Sequence, residues 1–73
     1  MNLDLIRRRL SKGGPYSIRT SDGNDYSVPH PEFVLVGRHN LIIEESDGYV
    51  EIIDPLHVVA IRRIPAAKHK NGN

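Results

Sequence analysis

Four histidines, at positions 30, 39, 57 and 69, are the side chains here best placed to change charge near neutral pH. Their spacing decides what chemistry is open to them. His30 and Glu32 are two apart, and His39, His57 and His69 are scattered, so no recognised metal-ligand spacing forms. Serine, histidine and aspartate all occur, but in no motif that lines up a nucleophile, a base and an orienting acid. Glu44 and Glu45 are adjacent, which on a strand sends one inward and one outward instead of pairing them. Gly13-Gly14-Pro15 reads as a helix stop, not as a loop that cradles phosphate. No catalytic residue, metal, cofactor or small-molecule substrate is expected, and the chain does not read as an enzyme. His57 stands between a proline-containing break and an apolar strand. Its plain role there is to close the broken strand by bonding a backbone carbonyl.

Arginine offers a second chemistry. Arg7, Arg8 and Arg9, with Arg62 and Arg63, could form a basic rim for a nucleic-acid backbone. Consecutive arginines on one helix point in different directions, however, so they cannot all face one ligand. Three tyrosines and one phenylalanine are the whole supply of aromatic side chains for stacking. The formal net charge is +1, but it is unevenly laid out. Residues 1–20 hold five basic side chains against one acid, and residues 21–60 hold one against eight. Residues 61–73 add four basic side chains and no acid. Both ends are basic and the middle is acidic.

The elements that position these groups must fit in 73 residues, which allows one domain. A chain of this size buries only about 60% of its unfolded surface. With no cysteine there is no disulfide scaffold or zinc ribbon, and the composition fits a reducing compartment. No apolar run approaches the roughly 18 residues of a membrane span. Arg7, Arg8 and Arg9 interrupt the only candidate secretory stretch. The expectation is a soluble cytoplasmic domain with no membrane partner.

Asn2 is a candidate N-cap, Asp4 suits the first turn, and Leu3, Ile6 and Leu10 recur at helical spacing. Lys12, Gly13, Gly14 and Pro15 then stop a helix of about residues 2–12. After Pro15 the period becomes alternating. Ser21-Asp22-Gly23-Asn24 joins Tyr16–Thr20 to Asp25–Val28 as a hairpin turn, and Ser46-Asp47-Gly48 joins Leu41–Glu44 to Tyr49–Ile53 by the same turn chemistry. Pro29 and Pro31 cannot sit in a central ladder, so the chain bends or makes a short helical turn there, with Pro31 at its first position and His30 capping it. Val34–Val36 ends at another turn, Gly37–Asn40. Asp54-Pro55-Leu56 breaks the chain again before a last strand, His57–Ile64. Residues 66–73 read as a disordered tail after a single domain of residues 1–65.

The order is one helix followed by about five short strands. A small, strongly bent five-stranded barrel of SH3-like type, capped by the helix, avoids an exposed apolar sheet face. The last two strands carry apolar residues on both faces. Val50, Ile52, Val58 and Ala60 are therefore expected at a strand-paired interface between subunits.

A basic-rich helix, five strands and a short break before the last one together resemble the Sm-like fold, especially its bacterial Hfq branch. On that resemblance Leu3–Leu10 is the helix, Tyr16–Val28 the first hairpin, Leu41–Glu45 strand three and Tyr49–Ile53 strand four. His57–Ile64 looks like the second Sm motif, and His39-Asn40-Leu41-Ile42-Ile43-Glu44 looks like the end of the first. Leu56 stands where Hfq has lysine, and Pro29–Phe33 has no counterpart in an ordinary bent second strand. More closely, the chain resembles small uncharacterised bacterial proteins with a Ser-Asp-Gly turn, a His-Pro-Glu-Phe-like segment and an Asp-x-x-His-Val ending. That second resemblance implies no activity.

What the Sm-like resemblance implies is a homo-oligomeric ring that binds RNA or another single-stranded nucleic acid. His57, His39 and Asn40 would then contact bases at a pore, since histidine and asparagine can stack on and bond an unstacked base. Arg7, Arg8, Arg62 and Arg63 would contact the backbone. The alternative expectation is an oligomerisation or protein-interaction module whose acidic middle excludes nucleic acid.

Overall fold

The computed structural model describes residues 1–64, so the expected tail at 66–73 lies outside the described residues. Helix α1 spans Leu3–Leu10. Asn2 caps it as expected, its Oδ1 accepting from the Leu5 N–H at 2.8 Å. Ser11 ends it, and Gly13 follows with φ 84°, a left-handed conformation that glycine adopts without penalty. The helix is shorter than the expected 2–12 because the ladder tightens after Ser11: its N–H still reaches the Arg7 carbonyl four back, but that of Lys12 bonds Arg9 only three back before Gly13 turns left-handed.

Among the described residues six strands follow, not five: β1 Tyr16–Thr20, β2 Asp25–Val28, β3 Val34–Val36, β4 Leu41–Glu44, β5 Val50–Ile53 and β6 Val58–Arg63. They form two antiparallel three-stranded sheets, ordered β2-β1-β6 and β3-β4-β5. No strand is shared between them, so the described residues do not close into a five-stranded barrel. The extra strand has a local cause. Pro29 and Pro31 lack the N–H that a ladder needs, and a 3₁₀ turn at Pro31–Phe33 divides the expected second strand into β2 and β3. Pro31 opens that turn, but the His30 side chain makes no capping bond. A second 3₁₀ turn, Pro55–His57, links β5 to β6 and takes His57 out of the expected last strand. Asp54 caps this turn by accepting from the Leu56 N–H at 2.9 Å.

The core lies between the sheets and under the helix. Ile6, Ile18, Leu41 and Ile43 are fully buried, joined by Tyr16, Val28, Ile53 and Val58. Tyr16 also fastens the helix, its hydroxyl donating to the Arg9 carbonyl at 2.7 Å. Val58 is 2% exposed and belongs to this core, which removes it from the expected interface set. Ala60 is half-buried, while Val50 and Ile52 are exposed. The register explains Val58: it pairs with Thr20 and Ala60 pairs with Arg19, so Val59 bulges out between them.

The two Ser-Asp-Gly turns are built alike. Thr20 N–H donates to the Asn24 carbonyl and Glu45 N–H to that of Tyr49; Gly23 N–H donates to Thr20 and Gly48 N–H to Glu45. In each turn the aspartate Oδ1 accepts the N–H two residues on, Asn24 at 3.2 Å and Tyr49 at 3.1 Å.

Candidate functional site

Pairing register gathers three loops at one end of the molecule. Leu41 pairs with Ile53, so the Gly37–Asn40 turn before β4 adjoins Asp54 and the 3₁₀ turn after β5. The β1–β2 turn joins them through Ser21, whose N–H donates to the His57 carbonyl at 2.8 Å. His57 Nδ1 in turn lies 3.1 Å from Ser21 Oγ, so its side chain meets a hydroxyl and not the backbone carbonyl expected. The Met1 ammonium group donates to the carbonyls of Pro55 and Val58 at 2.9 and 3.1 Å, which pins the same turn from the helix side. His57, His39 and Asn40 thus share one pole, all exposed.

The surroundings of His57 are acidic. A cleft of about 310 Å³ beside it is lined by Ser21, Tyr26, Ile52 and the carboxylates Asp22, Glu51 and Asp54. The Thr20 hydroxyl and the Asn24 N–H both bond to Asp22 and hold its carboxyl below the usual value. Burial, with Glu51 close by, pushes the Tyr26 phenol above its ordinary value. A hydrogen bond to Glu51 raises the Glu45 carboxyl.

Arg38 lies beside His39 in the Gly37–Asn40 turn, but the arginines expected at a nucleic-acid backbone sit elsewhere. Arg62 and Arg63 pair with Ser17 and Tyr16, at the opposite end of β1 from Thr20 and His57. Arg7 bonds Asp4 at 3.1 Å on the exposed side of α1, and Arg8 and Arg9 are exposed beside it. Arg19 is engaged by Asp25 through two bonds of 2.9 Å. The structure therefore brings His57, His39 and Asn40 together and keeps Arg62 and Arg63 apart from them.

Comparison with family models, curated proteins and solved structures found no match. Among the described residues no group of three or more histidines and carboxylates is placed to hold a metal. No described helix is long and apolar enough to cross a membrane.

Sequence reasoning did not single out Ser21 or Leu35. Ser21 was visible only as a turn residue, because its bond to His57 spans 36 positions and depends on tertiary register. Leu35, 59% exposed at the centre of β3, was hidden in a continuous apolar run that carries no alternation.

Proposed function

We propose that this chain is a self-associating β module of Sm-like type, in which β2 and β3 are two halves of one bent strand and copies join through strand edges. The observation that carries this reading is the pair of open edges flanking the Pro55–His57 turn. Among the described residues, both β5 and β6 have a hydrogen-bonded neighbour on one side only. An open edge offers unpaired N–H and C=O groups to another chain. Both edges also carry uncovered apolar side chains: Val50 and Ile52 on β5, and the bulged Val59 on β6. Their charges are complementary, with Glu51 and Asp54 at β5 and Arg62 and Arg63 at β6. Joining β5 of one copy to β6 of the next is a heterologous contact, which repeats into a ring when the rotation closes.

Light scattering combined with amide exchange tests this. Edge pairing gives a mass of several chains and slows exchange of the outward β5 and β6 amides. A monomer throughout the micromolar range overturns it.

A second reading, single-stranded nucleic-acid binding, is favoured by the shared pole of His57, His39 and Asn40. The carboxylates Asp22, Glu51 and Asp54 weigh against it, because they repel phosphate at that pole. Anisotropy titration with short uridine-rich and adenosine-rich RNAs across salt separates the two. Binding that weakens in His57→Ala and Asn40→Ala supports the nucleic-acid reading, and no binding at low salt removes it.

A further inference from the structure

The outer faces of the two sheets have opposite character. On β2-β1-β6 the register lines up Ser27, Ser17 and Arg62 in one row and Asp25, Arg19 and Ala60 in the next, a polar and ion-paired surface. On β3-β4-β5 the same construction lines up Leu35, Ile42 and Ile52, with Glu44 and Val50 in the following row. Leu35, Val50 and Ile52 are 59%, 54% and 68% exposed. An antiparallel sheet with one solvated face normally turns polar side chains outward. Here one sheet does so and the other presents an aliphatic row.

We infer that a second copy of this chain covers the row, the two β3-β4-β5 sheets packing face to face about a twofold axis. Charge selects both the occupant and its orientation. Sheets pack with strand directions within about 30° of one another, so an axis through Ile42 lies either along the strands or across them. Along the strands, Glu44 would meet Glu44 of the second copy, like charge on like. Across the strands, Leu35, Ile42 and Ile52 each meet their own equivalents. Glu44 then falls over the second copy's Gly37–Asn40 turn, within reach of Arg38. Both side chains are exposed, and neither forms an ion pair among the described residues. The face is therefore self-complementary in one orientation: an aliphatic centre with an Arg38–Glu44 pair at each end.

This contact shares Ile52 with the edge pairing proposed above, so it is tested at Leu35, Arg38 and Glu44, which lie on neither β5 nor β6. The experiment is sedimentation equilibrium on the full chain, with amide exchange run in parallel. Leu35→Ser, at an exposed site that a folded monomer tolerates, lowers the association constant while any β5 and β6 amide protection stays. Arg38→Glu or Glu44→Arg weakens association about tenfold, since each replacement turns two attractive pairs repulsive. The double replacement Arg38→Glu/Glu44→Arg restores it. An association constant unchanged by Leu35→Ser overturns the inference, and so does a double variant no better than the singles. A wild-type monomer also overturns it, leaving the row to residues 65–73 or to a foreign chain. If the edge amides exchange freely while Leu35→Ser still dissociates the protein, the edge-pairing reading fails and the face contact stands.

Discussion

Ser21 and His57, 36 positions apart, are joined twice: the Ser21 N–H donates to the His57 carbonyl at 2.8 Å, and the Ser21 hydroxyl lies 3.1 Å from His57 Nδ1. The backbone bond ties the first hairpin to the turn before the last strand. The side-chain contact fixes the direction of the imidazole. Ser21→Ala keeps the first and removes the second, so the fold should persist with a loss of about 0.5–1 kcal/mol in urea unfolding. The His57 ring should then lose its fixed orientation. An unchanged set of ring nuclear Overhauser contacts in the variant would show that packing, not Ser21, orients His57.

The matched turns make a paired prediction. Gly23 and Gly48 have φ of 89° and 91°, and a Cβ built on either meets nothing within 4 Å. Replacement by alanine is therefore a test of backbone conformation with no steric clash added. Each of Gly23→Ala and Gly48→Ala should cost about 1–2 kcal/mol, by similar amounts, in chemical denaturation. A near-zero cost at either site would mean that turn relaxes to another type.

Features set by near neighbours in sequence were legible. The Asn2 cap, the Gly13 stop, both Ser-Asp-Gly turns and the proline breaks each depend on local conformational preference, and each is found close to its expected place. Features set by register were not. Val58 looked like an interface residue until the bulge at Val59 turned it into the core, and a one-residue shift is invisible in a run such as Val58-Val59-Ala60-Ile61. The same ambiguity hid the aliphatic row, because Leu35, Ile42 and Ile52 become neighbours only once three strands are aligned.

Two carboxyl groups should shape the acid side of the stability curve in opposite ways. The hydrogen bond to Glu51 raises Glu45. A raised carboxyl pKa in the folded state means a contribution fully present below the group's ordinary value and lost as pH rises through the raised one. Asp22 is lowered, chiefly by the Thr20 hydroxyl, so its contribution is present above the ordinary value and lost as pH falls through the lowered one. Glu45→Gln should therefore raise Tm at neutral pH and leave it nearly unchanged in acid. Asp22→Ala should lower Tm at neutral pH and lose that effect in acid. Scanning calorimetry across the acid-to-neutral range measures both, and parallel shifts at every pH would refute the assignment.

Helix α1 supplies the final prediction, because it buries a single side chain fully. Ile6 is its one buried side chain, at 0% exposure, whereas Leu56 in the Pro55–His57 turn is 79% exposed. Both replacements by alanine remove aliphatic carbons, but only the first leaves a cavity. Ile6→Ala should cost about 2–5 kcal/mol, against a total stability for a chain this size of only about 4–11 kcal/mol. It should bring the protein near its unfolding threshold at room temperature. Leu56→Ala in dilute solution should stay within about 0.5 kcal/mol of the parent, since its side chain leaves water in neither state. Equal losses at the two sites in guanidinium titration would show that Leu56 is covered in the native protein, and the contact covering it would then be found by comparing the loss at low and high protein concentration.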